Sequence, residues 1–97
     1  MYKVYVIEDQ ISGMLYVGFT TDLERRILEH KNGFGGETTK GAHIWKLIYA
    51  EAYVSKNDAL GREKFLKGGS GRRYLKKQLV DHFSIKGWKN ESFLVIC

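Results

Sequence analysis

Residues 2–18, YKVYVIEDQISGMLYVG, contain two apolar stretches on either side of a short polar turn. Both stretches are rich in β-branched and aromatic residues, which favour strands, and QISG at 10–13 supplies a turn. We therefore expect a β-hairpin. Its two arms carry Tyr5 and Tyr16, which antiparallel pairing would bring near each other. Each could equally be a tyrosine that only packs, as most strand tyrosines do.

A helix and a longer strand are predicted after the hairpin. TDLERRILEHKNG at 21–33 begins with Thr21 and has Glu24 three residues later, the pattern of a capping box. Gly33 can end this helix. IWKLIYAEAYV at 44–54 is the longest strand candidate in the chain.

Two more helices are predicted in the C-terminal half. One spans 55–69 and opens with Ser55, and the other spans 70–83 with Ser70 as its cap. FLVI at 93–96 is a candidate for a short edge strand. The predicted order is therefore β-β-α-β-α-α. We expect an α/β fold in which a small three-stranded antiparallel sheet is flanked by helices.

The length and composition are those of a single globular domain, residues 1–97. Apolar residues make up 43%, which is too high for a disordered chain. No apolar run approaches the roughly 18 residues of a membrane span, and the N-terminus lacks a signal-peptide pattern. We expect a soluble, cytoplasmic protein without a membrane partner. Cys97 is the only cysteine, so a multi-thiolate zinc site is excluded, whereas a hard ion such as Mg²⁺ stays open.

Positive charge is concentrated in the second half of the chain. Residues 1–58 carry seven Lys/Arg against eight Asp/Glu, whereas residues 59–89 carry nine against two. A basic segment of this kind suits a polyanion such as nucleic acid. A basic helix face that is merely solvated would have the same composition.

Charged side chains are predicted on the inward side of the first helix. At about 100° per residue, Arg26 and His30 flank the apolar stripe that faces the sheet, while Arg25 lies on the opposite side. An arginine beside a core-facing stripe needs an anion, because an unpaired buried charge is costly. That anion could be a ligand, or it could be the neighbouring Asp22 or Glu29.

The second helix raises the same question for a carboxylate. Ala59, Glu63 and Leu66 fall within roughly 60° of one another on a helix. Glu63 is therefore predicted on the inward face, where a leucine would be unremarkable. Taken alone, it could be a rim residue paired to a lysine. Together with an inward arginine and two strand tyrosines, it indicates a site.

These residues resemble a known family. VYV at 4–6 and YVG at 16–18 resemble the paired signature of the GIY-YIG nuclease superfamily, and the likeness continues through the helix at 20–33 and REKFLK at 62–67. It covers about residues 2–80. The chain is similar to small stand-alone members and to the N-terminal nuclease domain of the excinuclease that acts in DNA excision repair.

The resemblance implies a metal-dependent DNA endonuclease that hydrolyses phosphodiester bonds to 5′-phosphate and 3′-hydroxyl products. It implies catalytic roles for Tyr5, Tyr16, Arg26 and His30, a motif glycine at Gly18 and a metal-binding carboxylate at Glu63. Glu63 would hold one Mg²⁺ or Mn²⁺ ion, and Arg26 would brace the phosphate oxygens. A tyrosine would orient the water or accept its proton, with His30 assisting.

DNA is the implied partner, with RNA not excluded. Four basic residues that form two adjacent ridges would contact the nucleic-acid backbone: Arg72, Arg73, Lys76 and Lys77. Lys3 departs from the family pattern, since it stands where the first motif has glycine. Asn90 is a possible counterpart of a late family asparagine, and the loop at 35–43 could reach substrate.

Two other functions are consistent with the sequence. The same fold could serve as a nucleic-acid-binding module with little or no cleavage, although a binding module does not need an inward Glu63. A generic α/β interaction domain would leave both Arg26 and Glu63 without a purpose.

Overall fold

A four-stranded sheet lies at the centre of the described part of the chain, residues 1–33, 43–86 and 95–96 of a computed structural model. Its strands are β1 (Tyr2–Asp9), β2 (Leu15–Thr20), β3 (Trp45–Tyr53) and β4 (Val95–Ile96), arranged in the order β3-β1-β2-β4. The first strand pairs antiparallel with β2 and with β3, so the predicted hairpin and three-stranded antiparallel sheet are confirmed. The two-residue β4 pairs parallel with β2, within the segment predicted as an edge strand.

Four helices accompany the sheet in the described residues: α1 (Leu23–Lys31), α2 (Lys56–Lys67), α3 (Gly69–Gln78) and α4 (Val80–Lys86). The single helix predicted over 70–83 is wrong. Leu79 leaves the helical conformation (φ −109°, ψ 34°), which separates α3 from α4. Leu79 and Phe83 both pack against the core. His82 Nε2 lies 3.1 Å from the carboxylate of the buried Glu8.

Not one of these described helices has the length and hydropathy needed to cross a bilayer.

Two of the predicted helix caps are wrong. Asp22, not Thr21, is the N-cap of α1, because its carboxylate accepts a hydrogen bond from the backbone N–H of Arg25 at 3.2 Å. Ser70 lies inside α3, whose N-cap is Gly68. Both errors are shifts of one or two residues at a helix end, where several polar residues compete for the cap.

Other predicted boundaries are confirmed. Ser55 is the N-cap of α2, although its side chain makes no capping hydrogen bond. Gly13 in the hairpin turn and Gly33 after α1 have positive φ angles of 82° and 79°. L-residues rarely adopt this conformation, so glycine is favoured at both positions.

Both faces of the sheet are covered, so the inner strand β1 is buried from Val4 to Asp9. On one face, α2 and α3 contribute to a core made by Val4, Val6, Leu15, Val17, Ala59, Leu66 and Leu75. On the other face, Leu23 and Ile27 of α1 pack against a smaller cluster made by Tyr5, Ile7 and Trp45. Alternate residues of β1 therefore serve two cores, and Tyr5 belongs to the smaller one.

Candidate active site

Two tyrosines and a histidine meet on the α1 face of the sheet. Tyr5 and His30 are each 1% exposed, and the Tyr5 hydroxyl lies 2.8 Å from His30 Nε2. The ring of Tyr16 lies 4.8 Å from the His30 ring and 6.4 Å from the Tyr5 ring, measured between centroids. The register explains this meeting, because Tyr5 pairs with Gly18 and Tyr16 is its diagonal neighbour on the same face.

Gly18 makes room for the Tyr5 ring. A Cβ atom at Gly18 would lie 2.3 Å from both Cζ and the hydroxyl oxygen of Tyr5. No side chain could occupy that position without displacing the tyrosine from its buried place. The motif glycine therefore has a packing reason that can be read from the geometry.

Arg26 borders the cluster from α1. Its side chain is 29% exposed, whereas that of Arg25 is 69% exposed, in agreement with the predicted helix faces. The guanidinium donates to Glu29 at 3.1 Å and to the Tyr5 hydroxyl. Although burial lowers the pKa of Arg26, these two hydrogen bonds outweigh it, and the pKa rises. Arg26 thus has both the predicted neighbouring carboxylate and a contact to the tyrosine.

The protonation states in the cluster follow from burial. Burial raises the pKa of Tyr5 to about 12, although the hydrogen bond from Arg26 opposes the rise. Burial, together with the charge of Arg26, lowers the pKa of His30 to about 4. At neutral pH both groups are uncharged. Because Arg26 can only donate, we assign the Tyr5 oxygen as acceptor from Arg26 and its O–H as donor to His30 Nε2.

The buried neutral histidine predicts an acid-sensitive fold. His30 takes up a proton near pH 6.5 when unfolded but only near pH 4 when folded, so its contribution to stability is complete above pH 6.5 and is lost as the pH falls towards 4. His30→Gln can keep a partner for Tyr5 without titrating. Between pH 7 and 4.5, we expect wild type to lose about 2 kcal/mol more unfolding free energy than His30→Gln. Urea unfolding of both proteins at the two pH values measures this difference, and equal losses would contradict it.

Glu63 lies on α2, which packs on the other face of the sheet from the Tyr5 and His30 cluster. Its side chain is 19% exposed and its Oε2 atom lies 3.2 Å from Lys67 Nζ, so the lysine partner allowed by the sequence is present. Ala59 and Leu66 on the same helix face are fully buried. The carboxylate is close enough to Tyr5 for its charge to contribute to the raised pKa of the phenol.

The donor set around Glu63 suits a weakly held hard cation. Within residues 1–33 and 43–86 no group of three or more His, Cys, Asp or Glu side chains could surround a metal ion. Mg²⁺ commonly keeps several waters and takes one or two carboxylates from the protein. A single, partly exposed carboxylate such as Glu63 fits that mode of binding.

A charged cluster that the sequence did not predict anchors α2 to the sheet. Arg62 donates to both carboxylate oxygens of Glu51 on β3, at 2.9 and 3.0 Å, and the hydroxyls of Tyr49 and Tyr53 donate to the same carboxylate. Although burial raises the pKa of Glu51, the hydrogen bonds from Arg62 and the tyrosines lower it below its usual range. This pair fixes the backbone directly before Glu63. Only the alternation along β3 hinted that Glu51 shares a face with Tyr49 and Tyr53.

The remaining predicted residues lie elsewhere. Four basic side chains are exposed on α3, which packs against α2: Arg72, Arg73, Lys76 and Lys77. Asn90 and the loop residues before His43 lie outside the described part of the chain, whereas His43 itself is within it.

Comparison with known proteins gives a family match and several similar sequences. Residues 1–78 match a family model for the GIY-YIG catalytic domain. The chain is 42% identical over 67 residues to a UPF0213 protein of Halobacterium salinarum, covering 69% of this chain and 86% of the relative. It is 37% identical over 73 residues to a UPF0213 protein of Staphylococcus saprophyticus, covering 75% and 88%. The solution NMR structure of a UPF0213 protein from Bacillus halodurans is 38% identical and covers 95% of this chain and 93% of that one, with a TM-score of 0.48.

Proposed function

We propose that this chain, which belongs to the GIY-YIG catalytic domain family, is a metal-dependent DNA endonuclease that hydrolyses phosphodiester bonds. The observation that carries the proposal is the Tyr5 hydroxyl, held between the guanidinium of Arg26 and the neutral imidazole of His30. A hydroxyl that only packs needs neither a cation nor a proton acceptor. Here it has both, and the charge of the Glu63 carboxylate on α2 also acts on it.

The cluster can move a proton away from an attacking water. With a pKa near 12, Tyr5 is not a phenolate at rest and is a weak base alone. As the Tyr5 oxygen takes the proton from the water, its own proton passes along the 2.8 Å hydrogen bond to His30 Nε2. The water oxygen bonds to phosphorus and the bond to the 3′ oxygen breaks, and that oxygen takes a proton from solvent. His30 then releases its extra proton to solvent, which restores the resting cluster. Tyr16 holds the His30 ring in place by packing against it.

Arg26 and Glu63 can both help to balance the negative charge of the phosphate. The planar guanidinium of Arg26 can donate to two non-bridging oxygens at once. Glu63 would hold Mg²⁺ or Mn²⁺, which when bound balances negative charge on the phosphate and on the leaving oxygen. The ammonium of Lys67 lies 3.2 Å from this carboxylate. The exposed basic ridge of α3 would follow the DNA backbone without reading sequence.

The proposal is tested by cleavage of labelled duplex, single-stranded and branched DNA, and of RNA, with Mg²⁺ or Mn²⁺. Arg26→Ala is expected to slow cleavage by about 10²-fold or more, because the charge developing on the phosphate loses its donor. Arg25→Ala is the matched control, since its side chain is 69% exposed on the other side of the same helix. It should stay within about threefold of wild type.

Other results would reject the nuclease. Salt-sensitive binding of wild type without cleavage of any substrate would favour the binding module. Equal activity of the Arg26 and Arg25 variants would place the chemistry away from this cluster.

A further inference from the structure

A second buried carboxylate lies outside the proposed catalytic cluster, at the end of β1. Asp9 is 1% exposed and accepts hydrogen bonds from Ser12 Oγ at 2.6 Å, from the backbone N–H of Ile44 at 3.0 Å and from His43 Nδ1 at 3.0 Å. Although burial raises the pKa of Asp9, the hydrogen bonds from Ser12, Ile44 and His43 hold it well below its usual range. Asp9 is therefore an ionised carboxylate that can only accept.

Asp9 sets the orientation of the His43 ring. Because the carboxylate cannot donate, Nδ1 of His43 carries the hydrogen, and Nε2 lies on the far side of the ring. The ring also packs against Trp45, with centroids 5.0 Å apart, and the side chain is 20% exposed. The backbone N–H of Ile44 already ties Asp9 to the start of β3. That tie does not need an imidazole.

His43 faces an open cavity beside the catalytic cluster. The cavity has a volume of about 370 Å³ and is lined by Lys31, His43, Ile44 and Trp45. Lys31 directly follows His30 and is exposed at the end of α1. The Trp45 ring lies 6.5 Å from that of Tyr16. An ammonium and an imidazole therefore line this cavity together, and none of its lining residues in the described part of the chain is acidic.

We propose that Lys31 and His43 bind the backbone phosphate next to the scissile one on the same strand, a step that rests on the proposed function. Lys31 supplies an ammonium, and His43 in its protonated form donates from Nε2 while Asp9 balances its charge. Ile44, which is 59% exposed, offers an apolar surface beside them for a sugar. The substrate is then a polynucleotide with at least two consecutive phosphates, and an ester with a single phosphate is bound poorly.

The test is a scan of neutral linkages. A set of oligonucleotides carries one uncharged methylphosphonate at successive positions, and binding is measured with Ca²⁺ in place of Mg²⁺ so that no strand is cut. When the methylphosphonate stands at the position next to the cleaved bond, wild type is expected to bind that oligonucleotide about tenfold more weakly than the unmodified one. His43→Ala and Lys31→Ala should each bind the unmodified strand more weakly and lose most of that sensitivity. Two variants on different elements guard against a folding defect in one of them.

Lys46→Ala is the matched control. Lys46 is an exposed cation next to Trp45 in sequence, and its side chain lies on the face of β3 opposite to that of Trp45. It should keep the wild-type response to every neutral linkage. If His43→Ala and Lys31→Ala also keep that response, the proposed phosphate subsite is wrong. Cleavage of DNA by wild type with Mg²⁺ would still support the proposed nuclease activity in that case. If wild type cuts no substrate but its binding is weakened by a neutral linkage at one position, and this effect needs His43, the phosphate-binding site is supported and the nuclease activity is rejected.

Discussion

Glu63→Gln is expected to slow phosphodiester cleavage by at least about 10³-fold, or about 4 kcal/mol in activation free energy. Glutamine has the same shape but no charge, so it removes the only side chain proposed to hold a divalent cation. The side chain is 19% exposed and, among the described residues, forms an ion pair with Lys67, so the fold should tolerate the change. Single-turnover cleavage with excess Mg²⁺ measures the loss, and circular dichroism checks the fold.

Asp58→Asn is the matched control for Glu63→Gln. It removes one negative charge from the same helix, at an exposed position in the first turn of α2. Its activity should stay within about threefold of wild type. If Glu63→Gln were as active as Asp58→Asn, the carboxylate would serve only its ion pair with Lys67 and the proposed metal site would be wrong.

Gly71→Ala is expected to lower the free energy of unfolding by about 3 kcal/mol or more. Gly71 is buried on α3, where a Cβ atom would lie 2.2 Å from the carbonyl oxygen of Phe65 and 2.4 Å from Cα of Leu66. Both atoms belong to the backbone of α2 and cannot rotate away. The two helices would have to separate, and the fully buried Leu66 and Leu75 would lose their packing. Urea denaturation measures the change.

Gly61→Ala provides the opposite expectation on the neighbouring helix. A Cβ atom at Gly61 would meet no atom within 4 Å, and the residue is exposed inside α2. Alanine should therefore stabilise the protein by about 0.5–1 kcal/mol through helix propensity alone. If both alanine variants had the same stability, the close approach of α2 and α3 at Gly71 would be contradicted.

Local patterns in the sequence were enough to predict much of the site. The helix periodicity distinguished Arg26 from Arg25, and the structure leaves the first half-buried and the second in solvent. The hairpin predicted across the turn at 10–13 brings Tyr5 and Tyr16 near each other, as the register and the 6.4 Å between their ring centroids show. The resemblance to the GIY-YIG family rested on these short segments, and the family match confirms it.

Local patterns failed where neighbours compete or where packing redirects the chain. The N-cap of α1 is Asp22 and not the predicted Thr21, because either of these adjacent polar residues could supply the cap. The periodicity of 70–83 continued through Leu79, yet the helix breaks there. Leu79 at this break and Phe83 after it both pack against the core. Helix propensity contains no information about these contacts.

The sequence by itself determined most of the strands and helices, the inward faces of the helices and the family, because periodicity and strand alternation are properties of neighbouring residues. Only the tertiary structure decided which side chains meet. His30 and Tyr5 are 25 residues apart, and His43 and Asp9 are 34 apart. Their hydrogen bonds depend on the path of the chain between them and on burial, which also sets the neutral states of Tyr5 and His30. Charge and protonation in the site are therefore consequences of packing, which local sequence does not specify.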